Sequence, residues 1–291
     1  MSVTQIPFVA TGYFSKLICD YLDRKPELSQ FYGNFPDLEG FKNQIESKKT
    51  AFSAASRNLL VDALKNQHKN TSISEQTAQN IASLLDDNTF TVTTGHQLNI
   101  FTGPLYFLYK IVTAINLANR LKIEFPQQNF VPVYWMATED HDFEEIQYFN
   151  VNSTKISWNR ESSGAVGRLK TNGFEAVFNE FSALLGTSNN ADALRELFKN
   201  SYLNNDNLAE ATRYLVNELF GGYGLVIIDG DDALLKREFT TILKDELLNN
   251  KSFKRVSETN KKLGNDYNIQ VNPREINLFY LKDATRERII F

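Results

Sequence analysis

Two short apolar stretches, each followed at once by a polar loop, constrain the fold more than any other feature of this sequence. The first covers residues 90–94 and the second residues 130–137, where Pro132 is tolerable only near the start of a strand. Between them, residues 105–121 place apolar side chains on one broad face of a helix. A strand, a helix and a second, almost wholly apolar strand are typical of a βαβ unit in a parallel sheet that is buried on both faces. We therefore predict an α/β fold.

The rest of the chain predicts an α/β core preceded by a helical region. Residues 1–88 contain several helical patterns, one of them capped by Ser74. Farther along, Asn207 is followed three positions later by an acidic residue, as in a capping box, and residues 224–229 predict a third buried strand. We therefore divide the chain into a helical N-terminal region that ends at residue 88, packed on the core, and an α/β core over residues 89–291.

Weaker patterns cover the remaining segments. A hairpin is predicted between residues 155–158 and 165–169, because the residues between them are turn formers. Residues 231–249 predict a helix, and residues 276–281 predict a strand. The chain stops within the apolar run 288–291, from which we expect a core that is incomplete at its C-terminus.

The charge balance and the cysteine count argue against several classes of function. The chain carries 31 basic and 35 acidic side chains without a basic stripe, which argues against nucleic acid as a partner. No apolar run is long enough to span a membrane and the N-terminus lacks a signal-peptide core, so we expect a cytoplasmic protein with no membrane partner. Cys19 is the only cysteine, so the chain can form neither an internal disulfide nor a cysteine metal cluster.

The first polar loop, residues 95–103, predicts a ligand site at the carboxyl end of the first strand. Gly95 and Gly103 bracket the loop, and Gly103 with Pro104 stands where a helix would begin. The free N–H groups at a helix N-terminus favour a phosphate or a carboxylate. The polar side chains able to orient such a ligand are His96, Gln97, Asn99 and Thr102. The alternative is a plain connection in which Asn and Thr only cap the helix.

The second polar loop holds the densest acidic cluster of the chain, around His141. The acidic residues are Glu139, Asp140, Asp142, Glu144 and Glu145. Three interpretations stay open: the loop could coordinate Mg²⁺ or another metal, could bind or deprotonate the amine of a substrate, or could simply favour the N-terminus of a helix. A zinc site is not expected, because two histidines without cysteine partners are a thin ligand set. Since the carboxyl ends of parallel strands share one edge, we expect both loops to form one composite site.

Three residues outside these loops are weaker candidates. His68 lies in a polar segment, which predicts that this histidine is a solvated loop residue. Asp229 ends the third strand, where α/β folds often place a ligand contact, although helix capping by the acidic residues after it explains much of that segment. Arg274 could bring a guanidinium group to an anionic substrate, or could form a surface ion pair in a rigid turn.

Three motifs resemble those of the bacillithiol-synthesis cysteine ligase (BshC) family. They are Thr-Gly-His-Gln-Leu-Asn-Ile-Phe-Thr-Gly-Pro-Leu-Tyr at 94–106, Pro-Val-Tyr-Trp-Met-Ala-Thr-Glu-Asp-His-Asp-Phe at 132–143 and Ala-Val-Gly-Arg at 165–168. The resemblance implies a Rossmann-like core related to nucleotidyltransferases and class I aminoacyl-tRNA synthetases. It also implies a following coiled-coil region that this sequence lacks, through which a homodimer could form. The implied reaction joins the carboxyl group of cysteine to the amine of glucosaminyl-malate as an amide.

The resemblance also limits the chemistry of the first loop. Nucleotidyltransferases of this superfamily carry His-x-Gly-His in this turn, whereas residues 101–104 read Phe-Thr-Gly-Pro. The two histidines that would stabilise a pentacovalent phosphate are therefore absent. The cofactor stays unknown, with ATP or another nucleotide and Mg²⁺ as open options.

We therefore assign catalysis to the acidic loop and substrate binding to the residues around it. The predicted catalytic residues are His141, Asp140 and Asp142. The predicted substrate-binding residues are Gly95, His96, Gln97, Asn99, Thr102, Gly103, Glu139 and Arg274. We assign no residue as a metal ligand. Two alternatives stay open: a nucleotide-dependent transferase of another small substrate, and a non-catalytic small-molecule-binding protein of the same fold.

Overall fold

The computed structural model describes residues 4–291, which fall into two compact units. The first unit comprises the residues up to Lys48 together with Thr241–Leu278 and Ile289–Phe291, and the second comprises Lys49–Thr240 and Phe279–Arg288. The helices of the described residues are α1 (Phe8–Thr11), α2 (Lys16–Leu22), α3 (Leu38–Ala51), α4 (Ala54–Gln67), α5 (Glu75–Ser83), α6 (Tyr106–Glu124), α7 (Phe143–Ile146), α8 (Phe174–Leu184), α9 (Asn189–Tyr202), α10 (Leu208–Phe220), α11 (Ala233–Arg237), α12 (Thr240–Asn249) and α13 (Lys251–Leu263). Their strands are β1 (Thr89–His96), β2 (Asn129–Met136), β3 (Tyr148–Val151), β4 (Thr154–Ser157), β5 (Val226–Asp229), β6 (Phe279–Lys282) and β7 (Thr285–Arg288).

The second unit is built on a parallel sheet in the order β1-β2-β5. β1 and β2 pair along their full lengths, whereas β2 pairs with β5 only from Val133 onward. Pro132, which has no N–H to donate, therefore lies beside β1 alone. The predicted α/β fold is confirmed, and each of the three predicted parallel strands lies within two residues of its observed bounds.

Alternate side chains of the sheet enter two separate cores. On one face, Val131 and Val226 pack with apolar residues of α4 and α5. On the other face, Tyr134 and Ile227 pack with apolar residues of α6 and α10. Successive strand residues point to opposite faces, so a strand that is covered on both sides must be apolar at nearly every position. The carboxyl ends of β1, β2 and β5 therefore emerge at one edge of the sheet, between two helical layers.

Local capping signals place two helix starts correctly and misplace a third. The side chains of Ser74 and Asn207 each accept a hydrogen bond from the N–H three residues on, at 3.0 and 2.9 Å. The predicted N-cap at Gly103 is wrong, because Gly103 (φ 46°, ψ −139°) still belongs to the loop. Helix α6 begins after Leu105, without a side-chain cap.

The predicted hairpin pairs the wrong segments. β4 pairs antiparallel with β3, and Val166–Arg168 forms a 3-10 turn instead of a strand. The chain reverses at Asn152 and Ser153, whose φ angles of 47° and 67° fit a two-residue hairpin turn. An Asn-Ser pair is a weaker turn signal than the glycine at position 164, which explains why the sequence pointed to the wrong partner.

Two other segments also differ from the prediction. The helix predicted over residues 231–249 is divided into α11 and α12. The strand predicted over residues 276–281 is shifted toward the C-terminus, where β6 pairs antiparallel with β7. The boundary that we drew after residue 88 stays a prediction.

Candidate functional site

The two predicted loops meet at the carboxyl edge of the sheet, in the second unit. The side-chain amide of Gln97 donates to a carboxylate oxygen of Asp140 at 3.1 Å. The amide of Asn99, which is buried, donates to the backbone carbonyl of Glu145 at 3.1 Å. These hydrogen bonds join segments that lie more than 40 residues apart in the chain, so one loop fixes the position of the other.

The first loop has an unusual backbone that aromatic packing holds in place. Phe101, Thr102 and Gly103 have φ angles of 52°, 66° and 46°, a left-handed run that is costly for the two residues with side chains. The Phe101 ring stacks on Tyr202 with 4.8 Å between ring centroids, and its N–H donates to the Tyr202 hydroxyl at 3.0 Å. A Cβ at Gly103 would overlap the side chain of Asn99. The loop is therefore fixed by its surroundings.

Gly95 and His96 are placed differently from the rest of the loop. Gly95 is exposed, and a Cβ there would meet only Trp135, at 3.9 Å, so the backbone does not require glycine. His96 is buried, and its ring packs against those of Tyr106 and Phe107. Burial lowers the pKa of His96 below its ordinary value, so the imidazole is neutral at pH 7.

Asp140 is the ionised centre of the acidic loop. Its Oδ1 accepts hydrogen bonds from the backbone N–H of His141 at 2.7 Å and of Asp142 at 3.4 Å, while Oδ2 accepts from Gln97. Burial opposes the charge, but these hydrogen bonds together hold the pKa of Asp140 below its ordinary value. The carboxylate can therefore hold a cationic group at neutral pH.

His141 is contacted by an arginine that the sequence did not single out. An N–H of Arg286, in β7, lies 2.7 Å from Nδ1 of His141, and Oδ1 of Asp140 lies 3.3 Å from the same nitrogen. Because a guanidinium can only donate, Nδ1 must accept, and the ring proton sits on Nε2. The imidazole is then neutral, and its contact with Asp140 is not a hydrogen bond in this arrangement. Just over half of the His141 side-chain surface (54%) is exposed, so a substrate can reach it.

The remaining acidic residues of the loop act partly as a helix start. Asp142 caps α7 by accepting from the N–H of Glu145 at 3.3 Å, and Glu144 is exposed in the first turn. Within residues 4–291, no group of three or more His, Cys, Asp or Glu side chains is arranged to hold a metal ion. The helix-start interpretation thus describes Asp142 and its neighbours, whereas Asp140 and His141 face other partners.

A second polar cluster lies at the ends of β2 and β5, beside the acidic loop. The Thr138 hydroxyl donates to Asp229, and the N–H of Asp231 donates to both of these side chains, at 3.0 Å and 2.9 Å. Two N–H groups of Arg168 donate to the Asp231 carboxylate at 2.6 and 3.1 Å, and Lys236 also contacts it. Burial opposes the charge of Asp231, but Arg168 and Lys236 hold its pKa below the ordinary value.

Sequence patterns account for only part of this cluster. They predict helix capping by Asp231 and Asp232, and Asp232 does cap α11 by accepting from the N–H groups of Leu234 and Leu235, whereas Asp231 pairs with Arg168. Arg168 is the last residue of the Ala-Val-Gly-Arg motif at 165–168, and this motif is the feature of the sequence that points to Arg168 as a site residue. No pattern along the chain indicated its pairing with Asp231, 63 residues away.

Gly167 allows the 3-10 turn to approach β2 closely. Its N–H donates to the Thr138 carbonyl at 2.9 Å, and a Cβ on Gly167 would lie 2.6 Å from the Thr138 Cβ. We therefore expect Gly167→Ala to destabilise the protein by about 1–3 kcal/mol through overpacking. Urea unfolding measures this loss. Gly186→Ala is the matched control, because a Cβ there meets nothing within 4 Å, and an equal loss in both variants would contradict the role of the close approach.

Glu139 has the opposite environment from its acidic neighbours. Its Oε2 is buried with no hydrogen-bond partner among the described residues, and a Cβ at Gly230 would overlap this oxygen. Burial is the main reason why the pKa of Glu139 lies above its ordinary value, and the charges of Asp231 and Asp229 raise it further. Two carboxyl groups at one sheet edge, Glu139 and Asp231, are thus shifted in opposite directions.

These shifts predict opposite effects of pH on stability. The raised pKa of Glu139 favours folding below its ordinary value of 4.5, and this contribution is lost as the pH rises through the folded-state value. The lowered pKa of Asp231 favours folding above its ordinary value of 3.8 and is lost as the pH falls. At pH 7 we expect Asp231→Asn to lower the free energy of unfolding and Glu139→Gln to preserve or raise it. Urea unfolding of both variants at several pH values between 3 and 7 measures the direction of each change in the free energy of unfolding. Equal losses of this free energy in the two variants at pH 7 would contradict the prediction.

A cleft opens beyond the carboxyl ends of β2 and β5. Its volume is about 900 Å³, in the range of small-molecule sites. We call it the β2–β5 cleft; its lining includes Thr138, Asp229 and Asp231 at the strand ends, Arg168, Arg213, and parts of the segments 66–71 and 204–210. All of its lining residues belong to the second unit.

His68 and Arg213 lie at this end of the sheet. The prediction of a solvated loop for His68 is wrong: it is 4% exposed, with Nδ1 2.9 Å from the Leu64 carbonyl. Burial and the charge of Arg213 lower the pKa of His68 to about 4, so it is neutral at pH 7. The polar residues around position 68 are mostly exposed, whereas the His68 side chain itself is buried.

Arg274 is separate from the other predicted site residues in one respect. It is exposed and belongs to the first unit, whereas the predicted residues of both loops belong to the second. Its assignment to substrate binding stays a prediction.

No helix of the described residues combines the length and the apolar character needed to cross a membrane.

Comparison with known proteins gives one consistent result. The family model described as "Bacillithiol biosynthesis BshC, N-terminal Rossmann-like domain" matches residues 1–291. A protein of Flavobacterium psychrophilum is 59% identical over 98% of this chain and 54% of its own length. Proteins of Flavobacterium johnsoniae and Christiangramia forsetii are 57% and 50% identical over 98% and 100% of this chain, and 54% and 55% of their own. All three are named "Putative cysteine ligase BshC", and the chain spans about half the length of these curated relatives.

Proposed function

The chain belongs to the BshC family of bacillithiol biosynthesis, and we propose that it is the Rossmann-like part of a cysteine ligase. The reaction forms an amide between the carboxyl group of cysteine and the amine of glucosaminyl-malate. Family membership over the full chain supports the reaction class, since the relatives carry the ligase name. In the structure, the observation that carries the proposal is the Asp140–His141 pair at the carboxyl edge of the parallel sheet, where α/β folds bind ligands.

The acidic loop supplies the groups that this chemistry needs on the amine side. An amine must be neutral to attack, so its ammonium form has to give up a proton. We assign Asp140, ionised at neutral pH, to hold the ammonium group, and His141 to accept the proton that the nitrogen loses. As the C–N bond forms, the displaced carboxyl oxygen of cysteine leaves as water or on the group that activates the acid. Asp142 positions the loop through its cap on α7.

Arg286 sets a condition on this step. Its N–H occupies the lone pair of His141 Nδ1, at 2.7 Å. Because the ring proton then sits on Nε2, neither nitrogen can accept a proton while the contact persists. The contact must open when substrate binds; the ring proton then moves from Nε2 to Nδ1, where the N–H donates to Asp140 and Nε2 becomes free to act as the base.

The first loop does not fit a nucleotide in the manner of a nucleotidyltransferase. Phe101, at the first position of the turn, is buried in an aromatic core, and Pro104, at the last, has no N–H to offer a phosphate. The buried Asn99 amide is already engaged by the carbonyl of Glu145. We therefore derive no step through ATP or Mg²⁺. The assay described next tests which of them is needed to activate the carboxyl group of cysteine. Gly95, Gln97 and Thr102 remain proposed contacts of the substrate.

The experiment combines the protein with cysteine, glucosaminyl-malate and ATP, with and without Mg²⁺, and follows thiol products by mass. The full-length Flavobacterium psychrophilum relative is assayed in parallel, because this chain spans about half of its length. Product that contains both cysteine and glucosaminyl-malate supports the proposal. Adenylyl or phosphoryl exchange without a need for cysteine would instead favour a nucleotide-dependent transferase. Tight binding without turnover in either protein would favour a non-catalytic binding protein, the candidate that the absent histidines of the turn support.

Other parts of the proposal concern the whole protein. A ligase of small metabolites has small-molecule partners, and we propose that it works in the cytoplasm. A homodimer would form through a coiled coil outside this sequence. Light scattering and cell fractionation of a full-length relative test both statements.

A further inference from the structure

The β6–β7 hairpin contacts both polar clusters of the site. Its Asp283 carboxylate accepts from an N–H of Arg168 at 2.8 Å, and its Arg286 donates to Nδ1 of His141 at 2.7 Å. Arg168 also holds Asp231, and His141 is the proposed base. One two-stranded element thus reaches a central side chain of each cluster.

The hairpin is only weakly attached to the site. Among the residues that the structure describes, neither hydrophobic core beside the sheet includes any of 279–288. A two-stranded hairpin is at best marginally stable by itself. The Asp283 side chain is fully exposed and Arg286 is half-buried, and ion pairs of exposed side chains contribute little to stability. Releasing the hairpin from the site therefore costs little free energy.

The tip of the hairpin packs against a glycine that leaves room for it. Gly164 (φ 75°) is buried, and a Cβ there would lie 2.9 Å from the carbonyl oxygen of Asp283 and from the nitrogen of Thr285. Both are backbone atoms, which cannot turn aside as the end of a side chain can. A side chain at position 164 would therefore displace the tip while leaving Asp283 and Arg286 unchanged.

The seated hairpin prevents His141 from acting as a base. Arg286 donates to the lone pair of Nδ1 and the ring proton then sits on Nε2, so the imidazole has no free lone pair. Phe279 supports the guanidinium group, because its ring centroid lies 3.9 Å from the guanidinium carbon. His141 is thus accessible to solvent but chemically blocked while the hairpin is seated.

We propose that the β6–β7 hairpin is a self-inhibitory latch. When seated it blocks His141 and occupies Arg168, and when it lifts away both side chains become available. Because one hairpin makes both contacts, an anionic group that displaces Asp283 from Arg168 also favours release of His141. The latch rests on the proposed function only for its effect on the rate of product formation, since blocking of the imidazole can be measured without turnover.

Acylation of the whole chain with diethyl pyrocarbonate tests the latch, because this reagent modifies an imidazole nitrogen that has a free lone pair. The chain has three histidines, and His68 and His96 are buried, so His141 is the reactive one once it is unblocked. Peptide mass mapping gives its rate of acylation, at about pH 8, where an ordinary imidazole is uncharged.

Three variants release the latch in different ways. We expect Arg286→Met to raise the rate of His141 acylation about 3- to 10-fold by removing the donor. Gly164→Ala should raise this rate by a similar factor although Arg286 is intact, because it displaces the tip of the hairpin. Asp283→Asn should raise it about 2-fold, since its ion pair is exposed. Amide hydrogen exchange of residues 279–288 should also become faster in Gly164→Ala and Asp283→Asn.

Matched controls separate the latch from folding and from backbone strain. Gly12→Ala introduces the same kind of strain (φ 69°) where a Cβ meets nothing within 4 Å, and should leave the acylation rate unchanged. Arg288→Met removes an exposed cation from the same strand as Arg286 and should also leave it unchanged. Circular dichroism and thermal unfolding report on folding. Because Asp283 is fully exposed, Asp283→Asn keeps the test valid if Gly164→Ala fails to fold.

The outcomes distinguish the latch from the proposed function. Faster acylation of His141 in Arg286→Met, Gly164→Ala and Asp283→Asn would support the latch whether or not ligase activity is found. Equal rates in the unmodified protein and the variants, or an increase in Arg286→Met alone, would overturn it and leave the ligase standing. In whichever protein forms product, Gly164→Ala and Asp283→Asn should keep or raise kcat. A lower kcat together with faster acylation would overturn the inhibitory role of the hairpin.

Discussion

Replacing His141 by alanine is expected to lower the rate of thiol product formation about 100-fold or more, the usual contribution of a general base. The imidazole is neutral, more than half exposed, and lies 3.3 Å from the ionised Asp140 carboxylate. Alanine removes the proton acceptor but leaves the backbone hydrogen bond from residue 141 to Asp140 in place. We therefore expect kcat to fall while KM and the thermal stability change little.

Two further variants make this test specific. Glu144→Gln removes an exposed acidic charge from the same segment and should keep nearly full activity, because Glu144 only adds to the N-terminal turn of α7. Arg286→Ala should leave the protein folded and active, because it frees Nδ1 of His141. All variants are made in whichever protein forms product in the ligase assay, and the pH profile of kcat is recorded. Near-normal product formation by His141→Ala would remove His141 from the mechanism.

Replacing Phe101 by alanine is expected to cost about 3–5 kcal/mol of unfolding free energy, the usual range for a large buried ring. Phe101 is 4% exposed and stacks on Phe149 and Tyr202, with ring centroids 4.5 and 4.8 Å apart. Its positive φ is costly in itself, so the packing of the ring is what holds the loop in its left-handed conformation. Without the ring, the hydrogen bond from Gln97 to Asp140 should also weaken.

The comparison variants identify the origin of that loss. Tyr109→Ala removes an aromatic ring that is 62% exposed on α6, and should change stability by no more than about 0.5 kcal/mol. Tyr202→Phe keeps the stacked ring but removes the hydroxyl that accepts from the Phe101 N–H, and should cost about 1–3 kcal/mol. Urea unfolding measures all three. A loss for Phe101→Ala that is no larger than that for Tyr109→Ala would show that the aromatic cluster does not hold the loop.

Short-range signals were sufficient for the α/β core. The apolar run of β2 and the helical spacing of apolar residues in α6 are patterns among residues that are close together in the sequence. The caps at Ser74 and Asn207 likewise involve residues only three positions apart. Such patterns are strong where both faces of an element are buried. The hairpin was misplaced because Asn152 and Ser153 adopt a left-handed turn that their residue types only weakly favour.

The parallel strands, the loops at their carboxyl ends and the family motifs can all be predicted from the amino-acid sequence, because burial periodicity and turn chemistry are local. The folded structure alone shows which side chains meet. Arg168 reaches Asp231 across 63 residues and Arg286 reaches His141 across 145, and neither pair leaves a periodic trace in the chain. It also decided that His68 is buried and that Arg213 faces a cleft, because burial is set by elements that pack from distant parts of the sequence.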